Sequence, residues 1–112
     1  MNDLDLRRKA ELLRALAHPA RLAILQELAR GARCAGDIPA LLTISQPNLS
    51  QHLKALRRER VVDFYEDGNL RCYYITRPSL MSALCGIIMR EHRVVIRPVD
   101  EIRCEGKRRR RK

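Results

Sequence analysis

At residue 61 the hydrophobic period of the chain changes without a linker. Upstream, Leu53 and Leu56 lie within about 40° of Leu49 on a helical wheel, a narrow apolar stripe. Immediately downstream, the stretch VVDFYEDGNLRCYYI holds two β-branched and aromatic runs around EDGN. Asp67-Gly68 or Gly68-Asn69 supplies the positive φ that a tight hairpin turn requires. A short helix must therefore lead straight into a β-hairpin.

The upstream pattern adds more helices. Residues 4–17 read as a helix with Leu6, Leu13, Leu16 and Ala17 at helical spacing. His18-Pro19 ends it, because a residue before proline avoids the α region. Pro19 opens a second helix over 20–30, with Leu22, Leu25, Leu28 and Ala29 as its buried stripe and Gly31 as its stop. GDIPALLT at 36–43 reads as a short third helix with Asp37 as N-cap. The gap before the fourth helix, capped by Ser45, is short, which is the signature of a helix-turn-helix. Pro78 and Ser79 open a fifth helix over about 80–92, apolar on more than one side. The fold class expected is mainly α with a small β-hairpin: a winged helix-turn-helix in the order α-α-α-α-β-β-α. Residues 1–93 form the DNA-binding and dimerisation domain, and 94–112 form an extension ending in a disordered basic tail.

The fourth helix has unusual outward chemistry. Gln51, Lys54 and Arg58 point away from the leucines, flanked by Asn48, Ser50 and Ala55. Amides pair with adenine edges, lysine and arginine with guanine or phosphate, and hydroxyls with phosphate oxygens. No carboxylate occurs between Asp37 and Glu59, as approach to a polyanion demands. The candidate DNA-binding residues are Ser45, Gln46, Asn48, Ser50, Gln51, His52, Lys54 and Arg58, with Arg71 on the hairpin. KRRRRK at 107–112 holds six basic residues; taking six from the formal net charge of +10 leaves +4 on the other 106 residues. Such a balance suits DNA, RNA or an anionic membrane surface. No apolar run approaches the ~20 residues of a membrane span, and the N-terminus lacks a signal-peptide block, so a cytoplasmic protein with mainly reduced cysteines is expected.

ALAHPARLAILQEL followed by DIPALLTISQPNLSQHLKALRRERVVDFYEDGNLRCYYI resembles the ArsR/SmtB family of metal- and redox-responsive winged-helix repressors, over about residues 10–77. The resemblance implies a homodimer held by the first and last helices. Two recognition helices would then enter successive major grooves of a near-palindromic operator, and an inducer would release the DNA. The surplus apolar residues Met81, Cys85 and Met89 on the fifth helix independently point to a partner subunit.

The family's inducer sites are only partly matched. In CAGDI, Cys34 occupies the first position of a C-x-C arsenical site, but Gly36 replaces the second cysteine. PSLMSAL offers no ligand for the zinc site of the last helix, although His92 matches a later histidine. The candidate metal or redox residues are Cys34, near the positive end of the third helix, and Cys104, set among Arg103, Lys107 and Arg108, whose charges favour a thiolate. Cys85 reads as a packed small hydrophobe and Cys72 as filler on the second wing strand. Arsenite, another soft metal ion or an oxidant is the inducer these thiols suit. The alternatives are a winged-helix regulator without an intrinsic metal site and an RNA-binding winged helix. No nucleophile–base pair, phosphate loop or paired carboxylates mark an enzyme.

Overall fold

A computed structural model describes residues 1–111. Helices α1 (Asp3–Leu16), α2 (Pro19–Leu28), α3 (Ile38–Leu42), α4 (Gln46–Arg58), α5 (Pro78–Ile88) and α6 (Val99–Arg110) surround an antiparallel sheet of β1 (Arg33–Cys34), β2 (Val62–Asp67) and β3 (Leu70–Ile75), in the order β1-β3-β2. The expected winged helix-turn-helix is present, with one strand and one helix beyond those expected. β1 is two residues long, and its register pairs Arg33 with Tyr73 and Cys34 with Cys72. The hairpin places Gly68 and Asn69 between the paired Asp67 and Leu70. Gly68, at φ 63°, fills the position that a side chain rarely tolerates.

The core gathers one stripe from each early element: Leu16, Ile24, Leu25, Leu28, Ile38, Leu49, Leu53 and Leu56, closed by Val61, Val62, Tyr73 and Met81. The leucine stripe of α4 is buried as the wheel predicts. The stripe read for α1 is split: Leu6 and Leu13 are each more than half exposed, while Leu16 is buried beside Ala15, and Leu12 packs against the core. This helix carries two apolar stripes, and the core takes the second. In α2, Ile24 joins Leu25 and Leu28 inside, Leu22 is half-buried and Ala29 is exposed. Asp37 stands at the start of α3 without making a side-chain cap bond.

α5 ends at Ile88, short of the expected 92, and His92 lies beyond it against the Ile87 carbonyl oxygen at 2.6 Å. The expected disordered basic tail is a helix through Arg110. Its charges complement the helix dipole, with Asp100 and Glu101 in the first turn and Lys107–Arg110 in the last. Arg97 clamps Glu105 through two bonds of 2.8 and 2.9 Å, and those bonds hold the Glu105 carboxyl below the usual glutamate range. No residue of α6 is buried. The radius of gyration, 19.4 Å against about 13 Å for a compact chain of this length, reflects how far the extension stands from the body.

Candidate nucleic-acid interface

The candidate interface is built on the N-terminus of α4. Ser45 is extended (φ −70°, ψ 153°), and its hydroxyl accepts the Asn48 amide at 3.4 Å, an N-cap as expected. From there Gln46, Asn48, Ser50, Gln51, Lys54 and Arg58 are all exposed along one helix, opposite fully buried Leu49, Leu53 and Leu56. No carboxylate of α3 or α4 breaks into this face. The eighth candidate of this segment, His52, behaves differently. It is half-buried, and its Nδ1 accepts the Arg21 Nε–H at 3.2 Å.

Arg71 is on β3, just past the turn. Its guanidinium lies over the Phe64 ring, 4.3 Å from the centroid, and 3.7 Å from the Glu66 carboxylate on the facing strand. The wing thus holds Arg71 over its own side rather than at its tip.

Three cations that the sequence did not single out complete the surface. Lys54, Arg57, Arg58, Arg60 and Arg77 line a cleft of about 700 Å³ between the end of α4 and the root of the wing, shared with Asp63. Arg57 reaches Asp63 at 3.1 Å. The Phe64 amide first, and Arg57 second, hold the Asp63 carboxyl below the ordinary aspartate range. An open cleft with five cations and one carboxylate can hold a phosphate. Arg77 lies in the turn before α5, which sequence spacing alone does not bring near α4.

Arg60 enters the cleft through an irregular backbone. It is left-handed (φ 56°). Its amide donates to the Arg57 carbonyl at 2.9 Å, and the Val61 amide to the Leu56 carbonyl at 3.0 Å, a Schellman ending for α4. The Thr76 hydroxyl pins the Arg60 carbonyl at 2.6 Å. Glycine is the usual residue here, so Arg60→Gly should relieve about 0.5–1 kcal/mol of backbone cost and raise the melting temperature, while weakening nucleic-acid binding through the lost cation. A thermal melt beside a binding titration checks both signs; a lower melting temperature would contradict the assignment.

The sulfur atoms fall in another place than expected. Cys34 is joined to Cys72, its register partner across β1 and β3. Cys104 is an exposed free thiol on α6, and Cys72, read as filler, is the partner of Cys34. The β1–β3 ladder brings this pair face to face. Cys85 is half-buried and free. Among the described residues no group of three or more His, Cys, Asp or Glu is placed to hold a metal ion, and no helix is long and apolar enough to cross a membrane.

Residues 18–63 match the model of the bacterial regulatory protein arsR family. The chain is 40% identical over 77 residues to the uncharacterised HTH-type transcriptional regulator Rv0081 of Mycobacterium tuberculosis, 68% of each protein. The crystal structure of Rv0081 superposes with a TM-score of 0.71 at 36% identity, over 80% of this chain and 88% of that one. An arsenical resistance operon repressor of Staphylococcus xylosus is 36% identical over 69 residues, 62% of this chain and 66% of the repressor. The homodimeric winged helix-turn-helix DNA-binding domain Mb0332 of Mycobacterium bovis superposes with a TM-score of 0.69 at 25% identity, over 84% of this chain and 97% of that one.

Proposed function

The chain belongs to the arsR family of bacterial regulatory proteins, and from that premise we propose that it is a homodimeric repressor that reads duplex DNA with α4. The observation that carries this reading is the exposed, carboxylate-free face of α4 from Gln46 to Arg58, continued by the cationic cleft at its end. On this reading the exposed Gln51 and Asn48 read base edges. Lys54, Arg58 and the cleft arginines engage phosphates, and Ser45 and Gln46 lie at the positive end of the helix dipole. Two-fold pairing through α1 and α5 would space the recognition helices by about one turn of DNA, ~34 Å. Binding is cytoplasmic on this reading, where an operator is accessible, and needs no catalytic group. The domain is residues 1–93, with 94–112 as an appendage.

A second reading concerns release. The Cys34–Cys72 pair joins the strand that leads into α3 to the inner strand of the wing. Reduced by two electrons and two protons from a dithiol, it offers two neighbouring thiols to arsenite or another thiophilic ion. Oxidised, it staples the helix-turn-helix to the wing. The state of this pair can thereby bias the angle between α4 and the wing, and Cys104 has no part in it.

The test of DNA reading is titration of labelled operator and scrambled duplexes at low ionic strength, with structured RNA as competitor. Preference for the operator supports the reading; no binding to any duplex, or equal binding to RNA, sinks it. Operator fragments come from sequencing the genomic DNA that the protein retains. For release, arsenite, cadmium and peroxide are compared on the wild type, Cys34→Ser and Cys72→Ser. A wild type indifferent to all three would rule out the thiol reading.

A further inference from the structure

We propose that Arg21 is a positioning residue for DNA reading: it holds His52 as the Nε2–H tautomer, so that the recognition helix presents one fixed imidazole donor to an acceptor on the DNA. The inference rests on α4 being the DNA-reading helix.

Arg21 bridges three elements. From α2, its Nε–H donates to His52 Nδ1 on α4 at 3.2 Å, and its terminal amine donates to the Ala15 carbonyl in the last turn of α1 at 3.1 Å. A guanidinium has donors only and does not lose its proton in a protein. The His52 nitrogen facing it must therefore be bare, and a neutral ring with a bare Nδ1 carries its proton on Nε2. Among the described residues Nε2 has no hydrogen-bond partner. An N–H at Nε2 can satisfy guanine N7 or O6, thymine O4 or a phosphate oxygen, but not an amino group. The lock thus selects for acceptors at that point of the groove.

His18 supports the arrangement. Its own Nδ1 accepts the Ala20 amide at 3.0 Å, capping α2. Its ring packs on that of His52, with centroids 4.5 Å apart. Burial first, then His18 and Arg21, push the His52 ring below the ordinary histidine range, so it stays neutral where the tautomer matters. The other charged residues lining the hollow beside Arg21 are two acids and two cations, Glu11 and Arg14 on α1, Arg58 on α4 and Glu59 just after it. α3 contributes no titratable side chain, and the nearest acid of β2, Asp63, is held by Arg57. Protonation of His52 would have to occur at Nδ1 and would displace Arg21.

The test is ¹⁵N NMR of the histidine rings in the full-length protein without DNA, across pH 5–8, followed by operator titration at pH 7.5. The wild type should show the Nε2–H pattern for His52 and a midpoint below that of an ordinary histidine. In Arg21→Met the midpoint should move up and both tautomers appear, with operator affinity down about two- to fivefold, the cost of selecting one ring state from several. Arg21→Lys, which can still donate to Nδ1, should recover part of both. A wild-type ring protonated on Nδ1 at pH 7.5, or an unmoved midpoint in Arg21→Met, would overturn the assignment. If Arg21→Met does not fold, the wild-type tautomer and Arg21→Lys decide it. Failure of the wild type to bind duplex DNA would overturn the DNA reading instead, and the ring spectra would still decide the lock.

Discussion

The double variant Leu13→Glu/Ile87→Glu is expected to sediment as a folded monomer and to lose at least about a thousandfold in operator affinity. Leu4, Leu6 and Leu13 on α1 are 53–55% exposed, and Ile87, Ile88 and Met89 on α5 are 48–52% exposed. Burying each such side chain is worth roughly 1.5–3 kcal/mol, so covering several of them on each of two subunits supplies the association energy of a dimer. None belongs to the folding core, whose α1 and α5 members are Leu16 and Met81. Carboxylates at these points should therefore spare the monomer fold while making the paired state costly. A monomer reads one half-site, and the loss of the second removes most of what separates specific from nonspecific binding, typically 10³ or more. Sedimentation equilibrium and operator titration check this together. A variant that stays dimeric at tens of micromolar would show that the apolar stripes of α1 and α5 are not the interface.

That surface also marks the limit of what the sequence could tell. α1 carries Leu6 and Leu13 on one stripe and Leu12, Ala15 and Leu16 on another. Spacing alone favours neither, and the helical spacing of Leu6, Leu13, Leu16 and Ala17 runs across both. α4 left no such ambiguity, since one side holds only leucines and the other is polar apart from the small Ala55. Its cap, its buried side and its exposed face could all be read in advance. The hairpin was legible from EDGN, although only three dimensions distinguish the Gly68-Asn69 turn from its neighbour. β1 was not legible, because two residues have no period; it exists through its ladder with β3, and so does the Cys34–Cys72 bond. The cationic cleft was hidden for a related reason. Arg60 adopts a conformation usually reserved for glycine, and Arg77 arrives from a distant turn. α6 depends on Arg97 reaching eight residues ahead to Glu105, a spacing longer than the usual helical pair.

The largest effect on salt dependence is expected from Lys54→Ala/Arg58→Ala. Both side chains are exposed, and among the described residues neither has an ion-pair partner, so their charge is fully available to phosphate. A dimer would lose four cations. Each phosphate contact contributes about 0.9 to the slope of log affinity against log salt, so the slope should become shallower by up to ~4. At about 0.15 M salt that corresponds to a loss of about a hundred- to a thousandfold, nearly equal for operator and scrambled DNA. Gln51→Ala should behave in the opposite way, keeping the slope and losing the preference for operator. Titrations of both duplexes at several salt concentrations separate the two patterns, and an unchanged slope in the double variant would remove α4 from the phosphate contacts. Arg57→Ala is the informative control. Its guanidinium already lies 3.1 Å from Asp63, so removing it also frees a carboxylate inside the cleft. The local charge falls by one as in Lys54→Ala, but the residue lost was partly neutralised beforehand. A smaller change in slope than either single variant of Lys54 or Arg58 is therefore expected, with a larger loss of affinity than the slope accounts for, because the unmasked Asp63 repels the phosphate that Arg57 had shielded from it.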